Sequence, residues 1–120
     1  MTGPVFDERD QLDTVAAALL DGERIVAVYD DRDAGLLGLT DLRVLLRDDA
    51  LLERRTALTS IPYHRIGTVS AVTDRALPGR AARPGRIAIT VGERVHEVAL
   101  RDAARARHAH DVILRQLLGS

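Results

Sequence analysis

The 120-residue sequence has no cysteine, no lysine and no tryptophan, and its aromatic residues are two tyrosines and one phenylalanine. Without cysteine there can be no disulfide and no thiolate metal centre, which fits a reducing cytosol and a cytoplasmic location. So few aromatic faces leave little for bases to stack on, so nucleic acid is not an expected partner. No apolar run approaches the roughly 20 residues that span a bilayer, and residues 1–8 lack the basic and apolar regions of a signal peptide. All 17 basic residues are arginine, a pattern that reports coding bias rather than function.

What is present fits one domain with a real core, since a chain this size buries roughly two-thirds of its unfolded surface. The formal net charge of -1 hides an asymmetry: residues 1–33 carry nine acidic residues against three arginines, whereas residues 74–86 carry four arginines against one aspartate. An anion would prefer the second region.

Taken in order, residues 1–6 read as an unstructured tip. From Asp7 to Leu20, Leu12, Val15, Ala16 and Leu19 fall on one helical face, and the acidic first turn suits the helix dipole. Asp21-Gly22 ends this helix, and the apolar run Ile25 to Tyr29 is the first strand. The tip Asp30 to Asp33 leads to a strand at Leu36 to Leu39, and Thr40-Asp41 turns directly into Leu42 to Arg47. Asp48 and Asp49 mark the next turn, and Glu53 to Thr59 supplies a fourth strand.

The stretch Ser60 to Thr73 organises the rest. Pro62 fixes its own φ and pushes Ile61 to extended geometry, so a strand should stop there, and Gly67 lets the chain bend before the β-branched run to Thr73. Ile61, Pro62, Tyr63 and Ile66 define this turn. Residues 74–85, with two prolines and two glycines, have loop chemistry. Ile87, Ile89 and Val91 alternate with smaller residues, Gly92-Glu93 turns the chain, and Val95 to Leu100 returns as a seventh strand. Asp102 is an N-cap for a terminal helix whose stripe is Ala106, Ala109, Ile113 and Leu117. The expected architecture is mainly β: a bent antiparallel sheet or small barrel of seven strands covered by a C-terminal helix, with residues 1–20 as a tip and amphipathic helix and residues 21–120 as the domain proper.

Nothing in the sequence assembles a reactive constellation. His108 and His110 are two apart on a helix, about 200° around its axis, and cannot share a metal from it. His96 alternates with Val98 and Leu100 and reads as a histidine at the edge of the core. His64, in the organising turn, reads as a hydrogen-bonding partner of backbone. With no nucleophile elbow, phosphate loop or metal spacing, no enzyme activity and no cofactor are expected.

Three motifs then carry a family resemblance. Leu20-Asp21-Gly22-Glu23 precedes the first strand, Thr40-Asp41-Leu42-Arg43 enters the third with Asp41 where the family has Asn, and Ile61-Pro62-Tyr63-His64-Arg65-Ile66 forms the turn. In this order they resemble the bacterial pleckstrin-homology (PH)-like domain family over about residues 20–118. The resemblance implies a bent seven-stranded sheet with a C-terminal helix, serving as a scaffold for lipid, peptide or protein recognition, with ring-shaped homo-oligomers among the members. The loop that grips phosphoinositides in eukaryotic relatives corresponds here to Asp30-Asp31-Arg32-Asp33, whose charge repels phosphate. Fold analogy does not choose among these roles.

The reading that follows is a non-enzymatic binding or assembly module acting through sheet edges, whose unpaired backbone groups accept a strand from another protein or from a second copy. Self-assembly, with a ring preferred to a dimer, follows from an acidic N-terminal segment set against an arginine-rich loop and terminal helix, two surfaces of opposite sign that suit head-to-tail contact. The alternative is an adaptor for an anionic ligand or membrane surface through Arg75, Arg80, Arg83 and Arg86, with only weak, peripheral membrane contact.

Overall fold

The structure, a computed structural model, describes residues 3–32, 35–50, 55–73 and 85–119. Among these residues the element order is β1 (Val5–Phe6), α1 (Arg9–Ala17), β2 (Ile25–Asp30), β3 (Leu36–Thr40), β4 (Arg43–Ala50), β5 (Arg55–Pro62), a 3-10 turn (Tyr63–Arg65), β6 (Thr68–Thr73), β7 (Gly85–Val91), β8 (Arg94–Leu100) and α2 (Ala103–Leu117). The strands form two bent sheets, one ordered β1-β2-β3-β4-β5 and one ordered β6-β7-β8, which do not close into a barrel. One backbone bond links the ends of the two sheets, Arg32 N–H to the Ala99 carbonyl at 2.7 Å, while Gly67 N–H to the Thr90 carbonyl at 2.8 Å starts the β6–β7 ladder. A register shift between Ile25 and Ala27 bends β2 near its start, as a bulge does.

The core lies between the concave faces of the sheets and under α2. Ala27, Tyr29, Leu37, Leu39 and Val44 from the first sheet meet Ile87, Ile89, Val98 and Leu100 from the second. Ala106, Ala109 and Ile113 close it from α2 and are fully buried, as their stripe requires. Asp102 caps this helix through its side chain, which accepts from the Arg105 N–H at 2.8 Å. Gly85 lets the head of α2 approach β7: a Cβ there would stand 2.5 Å from the Asp102 carbonyl oxygen.

The first sheet is buried on its convex face too. Val15 of α1 packs with Val28, Leu36 and Leu45, flanked by Leu12, Leu19 and Ile25. This is why β2 and β3 read as continuous apolar runs rather than alternating ones. Gly38 permits the contact, since a Cβ there would lie 3.1 Å from a Val15 methyl. The helix face differs by one position from the sequence reading: Ala16 is exposed and Gln11, one turn before Val15, is buried in its place. The helix also ends at Ala17, and Leu19 packs from the segment after it.

Three boundaries depart from expectation. Val5 and Phe6 are not a loose tip but a short strand parallel to β2, with Val5 opposite Ala27 and Phe6 opposite Val28. Asp48 and Asp49 do not turn the chain; β4 continues through them to Ala50, pairing them with Ala57 and Thr56. Beyond the last β3 pair, Leu36 with Arg47, β4 and β5 pair only with each other among the described residues, and Asp48 is exposed there. Pro62 is the last residue of β5 rather than a residue after it, which an edge strand tolerates, and the turn contracts to Tyr63–Arg65. Glu53, the expected start of that strand, lies outside the described residues.

Candidate functional site: two polar junctions and two uncharged sheet edges

The three sequence motifs meet in one place. The Glu23 side chain, wholly buried, receives both Arg43 Nε and a terminal guanidinium nitrogen at 2.9 Å, the Thr40 hydroxyl at 2.7 Å and the Leu20 N–H at 2.9 Å. Arg43 gives two further donors to the Ser60 hydroxyl and the Ala18 carbonyl, each at 2.8 Å. The Tyr63 hydroxyl donates to the Thr40 carbonyl at 2.6 Å. The Arg43 hydrogen bonds, set against burial, hold the Glu23 carboxyl well below the usual range, at about 2. Burial pushes Tyr63 upward, so its hydroxyl stays a donor. With both carboxylate oxygens occupied, Glu23 has no proton to exchange near neutrality. The motifs build a clamp that fastens the end of α1, the β3–β4 turn and the end of β5 together.

A second junction fastens the N-terminal segment to α2. The Asp7 side chain, only 3% exposed, accepts from Arg105 Nε at 2.6 Å and from the Asp30 N–H at 3.0 Å. Arg105 also pairs with Asp102, and Arg101 pairs with Glu8 and, at 3.7 Å, with Asp30. The Gln11 amide donates to Asp30 at 2.9 Å and to the Gly35 carbonyl at 3.0 Å. Beside them the Tyr29 hydroxyl contacts His108 Nδ1, with the rings edge to face at 5.9 Å. Burial, aided by the nearby Asp7 charge, raises the tyrosine and keeps it neutral. None of this was read in the sequence, because residues 7 and 105 are 98 positions apart and no local pattern links them. The charge map set the acidic N-terminus against the arginine-rich loop and terminal helix of another copy; here the N-terminus meets the helix within one chain.

Among the described residues no group of three histidine, aspartate or glutamate side chains could hold a metal ion. His108 and His110 point to separate partners, Tyr29 and Asp111. His96 is half-buried on β8, whereas His64 is exposed and makes no hydrogen bond among the described residues, so the expected backbone contact is missing. Arg75, Arg80 and Arg83 lie outside the described residues; Arg86 is exposed on β7, opposite Val72 and Ala99. No described helix is long and apolar enough to cross a membrane.

The sheet edges differ in character. β1 is two residues long, and β8 carries Arg94, His96 and Glu97, features that discourage strand addition. In β5, Thr56, Ala57, Leu58, Thr59 and Ser60 are all exposed and none is charged. In β6, from Thr68 to Thr73, there is likewise no charge and only Val69 is partly covered. Both are terminal strands of their sheets.

No family model matches the chain and no curated protein matches it in sequence. Solved structures do match. A pleckstrin homology domain from Shewanella amazonensis superposes with a TM-score of 0.70 at 18% identity, covering 94% of this chain and all of the other. A DUF1696 family protein with a pleckstrin-homology domain, from Shewanella loihica, gives 0.69 at 14% identity over 97% and 99% of the two chains. A PH domain containing protein from Exiguobacterium sibiricum gives 0.62 at 17% identity, over 93% of this chain and 59% of its own.

Proposed function

We propose, on the pleckstrin-homology-like fold that these likenesses establish, that the chain is a non-enzymatic binding and assembly module whose working surface is the β5 edge. One observation carries the reading: the edge from Thr56 to Ser60 is exposed on both faces and holds no charge, bulge or internal proline to repel an incoming strand. Proteins that gain nothing from such an edge usually blunt it, as this chain does along β8. A second copy or another protein adds a strand there, with main-chain hydrogen bonds giving affinity and Leu58, 46% exposed, giving an apolar contact. Self-association is the simplest form of this recognition.

Multi-angle light scattering at micromolar concentration tests it. The expected mass is a multiple of 13.1 kDa for the native chain, falling toward the protomer when Thr56→Lys and Leu58→Lys place charge on the edge. A native chain that stays monomeric at every concentration and salt overturns self-assembly. A multimer indifferent to both lysines moves the contact away from β5.

A further inference from the structure

β1 guards an edge that would otherwise be adhesive. Ile25 to Tyr29 of β2 carry no charge, and among the described residues β1 is the strand that covers them on that side. The guard itself is held mainly by polar groups. Val5 and Phe6 remain 52% and 39% exposed, with the Arg9 guanidinium over the Phe6 ring at 5.9 Å. The Asp7 N–H donates to the Val28 carbonyl at 3.1 Å, and the Asp7 carboxylate takes the Asp30 N–H and Arg105. Glu8 adds its pair with Arg101. α1 is anchored without this segment, through Val15 in the convex core, Gln11 on the Gly35 carbonyl and Arg43 on the Ala18 carbonyl. The Glu8 carbonyl starts that helix by accepting from the Leu12 N–H, so the chain can turn between Asp7 and Glu8 while α1 stays in place.

We infer that residues 3–7 form a strap that opens as a unit about Glu8, while the sheets and both helices keep their packing, and that it gates the β2 edge. Closed, it completes the sheet. Open, it leaves an uncharged acceptor edge with the Arg105 guanidinium, released from Asp7, beside it. The Asp7–Arg105 pair is the latch, because the Asp7 side chain is buried, whereas the Glu8–Arg101 pair stands partly in water and holds less. The strap lies at the opposite end of the five-stranded sheet from β5 and works whether or not β5 pairs with another strand.

Phe6 is the single phenylalanine, and both tyrosines are buried, so chymotrypsin reads the strap directly. Cleavage after Phe6 needs several residues on either side to enter an extended cleft, which β1 does not offer while it is paired. Limited digestion of the native chain, followed by mass spectrometry, should cut after Phe6 about tenfold or more faster than after Tyr29 or Tyr63, because local opening precedes global unfolding. Val5→Cys with Ala27→Cys, opposite each other in register, should lock the strap on oxidation, slow the Phe6 cut about tenfold, and restore it on reduction. Arg105→Gln leaves the cleaved sequence unchanged and should speed the Phe6 cut about tenfold, whereas Arg101→Gln should speed it less than about threefold. The lock tests the strap even where Arg105→Gln loosens the whole fold. Cuts at Phe6, Tyr29 and Tyr63 that keep pace with one another show β1 leaving only with global unfolding and overturn the strap. A Phe6 cut indifferent to the oxidised lock overturns it too, as does an Arg105→Gln chain cut no faster than the native one. Failure of the 5–27 bond to form would put β1 elsewhere and equally overturn the strap.

Discussion

Replacing Glu23 with glutamine keeps the shape of the clamp and removes its charge. The carboxyl drops from an ordinary 4.5 to about 2 in the folded protein, chiefly because of Arg43. At about 1.4 kcal/mol per pH unit this amounts to about 3 kcal/mol of stability, a large part of the 5–15 kcal/mol typical of a domain. Because the folded value is the lower one, the contribution is complete above pH 4.5 and is lost as the pH falls toward 2. Urea unfolding of the native chain and Glu23→Gln should therefore differ by about 3 kcal/mol at pH 7 and by less than half of that at pH 3. The difference isolates Glu23 from the other carboxylates, which titrate alike in both proteins. A gap that is constant from pH 7 to pH 3, or smaller than about 1 kcal/mol throughout, would show that the pair offsets no more than its own desolvation and that the clamp is not where the charge matters.

Other expectations follow from packing and charge. Ile113→Asp buries an unpaired carboxylate in the core and should abolish cooperative unfolding near room temperature, whereas Leu117→Asp, at the partly buried end of the same stripe, should retain a transition with a lowered midpoint in thermal melts. Gly35→Ala places a Cβ 1.7 Å from the Arg47 carbonyl oxygen at φ +107 and should cost several kcal/mol by urea titration. Gly92→Ala, at φ +60 with nothing within 4 Å, should cost only about 1 kcal/mol in the same assay. Liposomes with anionic lipid should sediment little of the protein at physiological salt, because four arginines at about 1 kcal/mol each give marginal attachment; salt-resistant binding abolished at Arg80 and Arg83 would promote the arginine-rich segment instead.

Much of this fold was legible because its signals are local. The apolar runs of β2 and β3, the Gly92-Glu93 turn, the Asp102 cap and the stripe Ala106, Ala109, Ile113 each lie within a few residues. The clamp was half legible: the motifs holding Glu23, Thr40, Arg43 and Tyr63 were visible, but not that they touch. β1 and the Asp7–Arg105 pair were invisible, since two residues carry no periodicity and their partners come from across the chain. Asp48 and Asp49 misled for the opposite reason: local turn chemistry was overruled by a partner strand that keeps pairing beyond the core. The candidate site suffers the same division, since an edge is a property of strand order and no single strand reveals it.

The Asp30 amide has an unusual role as the point where the N-terminal segment is recorded. Its proton is shielded by a carboxylate that arrives from 23 residues upstream, rather than by a neighbouring carbonyl. Lifting of that segment frees this proton while the rest of β2 stays paired with β3. Hydrogen exchange at one backbone position thus becomes a clock for the departure of the N-terminal segment, separable from global unfolding. If the neighbouring β2 amides exchange orders of magnitude more slowly than Asp30, the segment opens on its own schedule, and a partner meets a molecule already divided into a lasting scaffold and a transient end.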